Sequence, residues 1–121
     1  MLRVNRAGGA PGAKSQIHTH PGPEAFYVLA GKLGQRTPYG VTYAEAGTTM
    51  TGHGADTPIE MFSAGTTDLD ELAIFVLDAD RPFSSPAKFD RGEISRGGAN
   101  VRSLSRFSAR FTSRCSWPMA S

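Results

Sequence analysis

The stretch GAKSQIHTHPGPEAFYVLAG, residues 12–31, decides how the rest of the chain is read. It opens on Gly12, closes on Gly31 and carries His18, His20 and Glu24 between them. Two of the three histidines in the protein thus lie two apart, with a carboxylate four residues further on. Residues i and i+2 of a strand point to one face, so an extended Ser15–His20 projects both imidazoles together. Pro21, Gly22 and Pro23 then break that strand, because proline fixes φ and removes a donor while glycine permits a sharp turn. A second strand, Glu24–Ala30, places Glu24, Phe26, Val28 and Ala30 on one face and Ala25, Tyr27 and Leu29 on the other. Glu24 can therefore return to the side of the histidines, with Phe26 and Val28 behind it. Gly31 suits a strand end where a tight turn needs positive φ. Two imidazoles and a carboxylate with open positions suit one divalent transition ion: Fe, Mn, Ni, Co or Zn.

This run resembles the first signature motif of the cupin superfamily, Gly-x5-His-x-His-x3-Glu-x6-Gly, at every fixed position. The likeness extends to about Phe89. The resemblance implies an all-β fold, a small antiparallel β-barrel or jelly roll, with His18, His20 and Glu24 as metal ligands inside it. The second motif of the family, Gly-x5-Pro-x-Gly-x2-His-x3-Asn, is not reproduced. Read from Gly47, it places His53 at the proline, Ala55 at the glycine, Pro58 at the histidine and Phe62 at the asparagine. Aligning Thr57 and Pro58 with the turn before the ligand puts Ile59 at the histidine instead. Neither alignment supplies the usual fourth ligand. His53 is a substitute ligand or an ordinary loop histidine, and Glu60 is a weaker candidate.

The rest of the chain is consistent with a small β domain. Its 121 residues can bury one modest core. Predicted strands are Leu2–Val4, Ser15–His20, Glu24–Ala30, Lys32–Thr37, Val41–Glu45, Ile59–Ser63 and Glu71–Leu77. Gly8-Gly9, Pro38-Tyr39-Gly40, Gly52-His53-Gly54 and Ala64-Gly65 read as turns between them. Phe26, Val28, Ile59 and Met61 are expected to line an apolar pocket beside the ligands, a place to hold a small organic molecule. Leu72–Leu77 is apolar on both faces, which suits a central strand or an interface between copies. The resemblance implies a homodimer. Few residues precede the motif, so the barrel is expected to be short at its N-terminal end, with an unpaired edge open to another chain.

Charge divides the chain. Residues 1–90 carry seven Lys or Arg and ten Asp or Glu, net −3, whereas residues 91–121 carry six Arg and one Glu, net +5. The reading is a cupin-like domain over 1–90 and a basic, Ser- and Arg-rich tail over 91–121, disordered. A basic amphipathic helix is the alternative, with Arg102, Arg106, Arg110 and Arg114 on one arc and Val101, Leu104, Phe107 and Phe111 beside it. A nucleic-acid or membrane partner is not favoured. The single Cys115 implies no internal disulfide, and neither a signal peptide nor an apolar run of membrane length is present, so a cytoplasmic protein is the expectation. No nucleophile elbow or phosphate-binding loop occurs. By resemblance, the functional expectation is a metal-dependent small-molecule enzyme of dioxygenase or isomerase type. The alternatives are a non-catalytic binding or sensing module, or a truncated domain without a working site.

Overall fold

The computed structural model describes residues 1–89 and the backbone of residues 112–114. Within them the chain is built of strands and turns, with no helix. Accordingly, no helix among them is long and apolar enough to cross a membrane. The strands are β1 (Leu2–Gly9), β2 (His18–Thr19), β3 (Glu24–Ala30), β4 (Lys32–Thr37) and β5 (Gly40–Glu45). They continue with β6 (Thr49–Thr51), β7 (Glu60–Ser63), β8 (Leu69–Val76), β9 (Ser85–Pro86) and β10 (Thr112–Arg114). A five-stranded sheet has the order β10-β1-β8-β3-β6, a three-stranded sheet the order β5-β4-β7, and β2 pairs with β9. Every pairing is antiparallel.

Period-two alternation explains which side chains form the core. Phe26 and Val28 on β3, Leu33 on β4, Met61 on β7, and Ala73 and Phe75 on β8 point into one buried cluster that also holds Ile59 and Leu69. Fully burying side chains such as Val28, Leu33 and Ile59 stabilises the fold by about 1.5–3 kcal/mol each. Ala30 leaves the pattern. The β3–β8 register shifts between Val28 and Ala30, and Ala30 becomes exposed instead of facing inward with Glu24, Phe26 and Val28.

Three other expectations are corrected. The first strand runs on through Gly8 and Gly9, because there it pairs with Asp70 and Leu69. At Gly8 a side chain is excluded, since a Cβ would lie 1.9 Å from the Leu69 carbonyl oxygen. The outer edge of β1 is also covered in part: Arg6, Ala7 and Gly8 pair with Arg114, Ser113 and Thr112. Those three residues are extended, which excludes a helix there. The rest of the tail, with the remaining Arg and apolar positions singled out above, lies outside the described residues. Finally, the strand predicted over Ser15–His20 is regular only at His18–Thr19. Before it the chain is held by single contacts, with the Ser15 N–H donating to the Met61 carbonyl at 2.8 Å.

The apolar strand near residues 72–77 is central, between β1 and β3. Its inward residues Ala73 and Phe75 are buried, whereas Ile74 and Val76 are exposed on the outer face beside Val4 and Leu2, their register partners.

Candidate functional site

The register fixes the floor of a cavity. Glu24 faces Phe75, Phe26 faces Ala73 and Val28 faces Glu71 across β3 and β8. Across β8 and β1, Phe75 faces Arg3, Ala73 faces Asn5 and Glu71 faces Ala7. All these side chains lie on one side of the sheet. Asn5, Ala7, Glu71, Ala73, Phe75, Glu24 and Phe26 floor a cavity of about 320 Å³. His18, His20, Ser15, Gln16, Phe83 and Ser84 also line it, as does Met61 from the other sheet.

The histidines reach this cavity because the turn between β2 and β3 is tightly constrained. Flanking that turn and its strands, the motif glycines Gly12 and Gly31 have φ of 85° and 78°, a region costly for other residues. Gly22, between its two prolines, has no room for a Cβ, which would sit 1.9 Å from the Val76 carbonyl oxygen. The His18 and His20 rings meet edge to face with centroids 4.7 Å apart. His20 also packs against Phe75 and Phe83, with centroids 4.7 and 4.6 Å away.

Hydrogen bonding sets the tautomer of both rings. The Nδ1 of His18 lies 2.6 Å from the Gln16 carbonyl oxygen, and that of His20 lies 2.6 Å from the Phe83 carbonyl oxygen. A carbonyl oxygen only accepts, so each Nδ1 carries the proton and donates it. Each neutral ring then keeps its lone pair on Nε2. Burial lowers the His18 pKa, and lowers that of His20 to about 4, with nearby His18 and Arg3 adding to the effect on His20. Burial also raises the Glu24 carboxyl to about 7. Glu24 Oε2 stands 3.6 Å from His20 Nε2. That is too long for a hydrogen bond, and with a neutral imidazole it is not an ion pair.

Glu24 rests on Gly52. A Cβ there would come within 2.6 Å of Glu24 Cγ and 2.8 Å of Oε1. Gly52→Ala is expected to displace the carboxylate and weaken any ligand that Glu24 holds by about 10–100-fold. Titration calorimetry on the folded variant checks this, and unchanged affinity would remove Gly52 from the site.

Of the residues singled out in the sequence, His18, His20, Glu24, Phe26 and Met61 come together at this cavity. Val28 and Ile59 do not wall it. Both are core residues, and the Ile59 backbone exchanges two hydrogen bonds with that of His18, at 2.9 and 3.0 Å. His53 is not brought to the histidine pair. Asp56, with φ of 60°, donates its N–H to the His20 carbonyl at 2.9 Å, so this loop passes behind His20. The His53 side chain is nevertheless exposed and packs against Tyr39, centroids 5.2 Å apart. Glu60 is also elsewhere, fully buried and 2.6 Å from Arg36 Nη1. Among the described residues, no three His, Cys, Asp or Glu side chains already converge as a metal cage.

One residue escaped the sequence reading. Glu71 is 2 % exposed and lines the cavity floor. Burial raises its pKa to about 8, with Glu24 and Asp70 adding to the shift. The signal lay in its phase, since an acid two and four residues before Ala73 and Phe75 shares their inward face.

An all-antiparallel strand fold with a ligand-sized cavity floored by one sheet defines the class. No protein-family model matches the chain, and no curated protein matches its sequence. Solved structures do match. A cupin-like protein from Thermotoga maritima superposes with a TM-score of 0.65 at 19% identity, over 78% of this chain and 71% of that one. A double-stranded β-helix protein from Klebsiella pneumoniae gives 0.62 at 17% identity, over 73% and 76%. The polyketide cyclase RemF from Streptomyces resistomycificus gives 0.58 at 15% identity, over 74% and 63%. The chain has the cupin fold.

Proposed function

We propose that this cupin-fold domain binds one divalent transition ion through His18, His20 and Glu24, beside a cavity that takes a small organic molecule. The observation that supports this most is the fixed tautomer of both imidazoles. Metal-binding histidines characteristically donate their second ring N–H to a carbonyl or carboxylate, which orients the ring and raises ligand basicity. Here both Nδ1–H groups do so, and both Nε2 atoms belong to rings at one cavity. The lowered histidine pKa values favour the same outcome, because a ligand imidazole must be neutral. A cation would also supply the positive charge that the buried Glu24 lacks.

Such an ion would provide Lewis acidity or redox character beside the cavity, suited to dioxygenase- or isomerase-like chemistry. The chain's own residues supply the remainder. His20 is wedged between Phe75 and Phe83, Gly52 seats Glu24, and Phe26, Phe75 and Met61 give the organic molecule an apolar surface. A second reading is a non-catalytic binding module that holds the organic molecule without an ion. The lack of a preformed three-ligand cage among the described residues favours it.

Metal analysis of protein purified without chelator, followed by titration with Mn, Fe, Ni, Co and Zn, separates the two. The expected result is one equivalent of ion, lost in His18→Ala and in His20→Ala. Metal content unchanged by both substitutions would sink the assignment. Ligand-dependent melting shifts in a protein that takes no metal would establish the binding module.

A further inference from the structure

The fold contains two fully buried glutamates that are handled in opposite ways. Glu60 is neutralised by Arg36 at 2.6 Å on the sheet formed by β5, β4 and β7. Glu71 faces the cavity, and its Oε2 has no hydrogen-bond partner among the described residues. A buried oxygen without a partner destabilises a protein, so it is better explained by a ligand than by folding. Its surroundings describe that ligand. Ala73, Phe75 and Phe26 lie along the same floor, and Phe83 and Met61 oppose them. Glu24 adds a second carboxyl to the lining.

We propose that Glu71 is the specificity residue of the cavity, accepting a hydrogen bond from the hydroxyl or amino group of a small molecule with an apolar body about the size of one aromatic ring. This rests on the reading of the cavity as a small-molecule site, and it holds with or without an ion at the histidines. A carboxyl oxygen accepts whether the group is ionised or protonated. An apolar analogue of the same shape leaves Oε2 unpaired and binds less tightly.

The test uses the full chain and three probes: benzyl alcohol, benzylamine and ethylbenzene. Calorimetry and melting shifts are recorded on the wild type, Glu71→Met and Glu71→Gln, with and without Mn. Wild type is expected to bind benzyl alcohol or benzylamine about tenfold more tightly than ethylbenzene. Glu71→Met is expected to erase that preference while still binding ethylbenzene, which shows that its cavity is intact. Glu71→Gln keeps an acceptor oxygen and is expected to retain the preference for the alcohol. Equal binding of alcohol and hydrocarbon by wild type overturns the role of Glu71 alone. Binding of no probe by wild type overturns the small-molecule cavity as well.

Discussion

Glu60→Leu is expected to lower the stability of the fold by about 3–5 kcal/mol. The loss reflects what remains behind. Arg36 is 6 % exposed, its Nη1 donates to Glu60, and its Nε has no hydrogen-bond partner among the described residues. Removing the carboxylate leaves a cation buried beneath Phe62, whose ring centre lies 4.8 Å from the guanidinium carbon. Chemical denaturation gives the difference. A loss below about 1 kcal/mol, the range of exposed pairs, would show that water reaches Arg36 and that the pair is not structural. Adding Arg36→Met to Glu60→Leu should recover most of the stability, since an apolar pair of similar volume replaces a buried ion pair at little cost. Cation and probe binding should be preserved in that double variant, because neither residue lines the cavity.

Glu71→Leu is expected to act in the other direction, raising the stability of the ligand-free protein by about 1–3 kcal/mol as the unpaired oxygen is removed. It should also change the response to pH. Glu71 has a pKa of about 8 in the fold against an ordinary 4.5, so the folded state holds a proton that the unfolded chain releases between those values. Its contribution is full below the unfolded value and is lost as pH rises through the folded one. Glu24, raised to about 7, acts in the same sense. His20, lowered to about 4 from 6.5, acts oppositely: its contribution is present above 6.5 and is lost as pH falls through 4. The charged neighbours of Glu71 are Glu24 on β3 and Asp70 on its own strand, the latter paired with Arg6 on β1 at 2.6 Å. The melting temperature of metal-free wild type should therefore fall from pH about 5.5 to about 8.5, and Glu71→Leu should flatten that decline. An equal slope in both proteins would show that Glu71 keeps an ordinary pKa.

These two glutamates also show what the sequence could convey. The motif glycines, the His-x-His pair and Glu24 are local, and strand alternation with one turn brings them to one cavity. That part was legible. The floor was legible only in part: strand phase puts Glu71 on the face of Ala73 and Phe75, but not between Val28 on one side and Ala7 on the other. Likewise, the strand phase of Glu60 says nothing of Arg36 on the adjacent strand, its register partner. His53 lies within a flexible-looking glycine loop that passes His20, yet its ring turns outward to Tyr39. Strands as short as β6 and β9 carry too few residues for alternation to show.

The floor has a kinetic consequence. β8 joins β1 to β3, so the cavity exists only after residues near the start of the chain have met residues near position 70. Loops of that length close before any contact rewards them, and antiparallel folds with such distant pairings fold over milliseconds to seconds. A peptide spanning residues 12–31 would hold both histidines and Glu24 but none of β1 or β8. The chamber is therefore complete only when β1 and β8 have paired, whereas the motif itself is one contiguous stretch of chain.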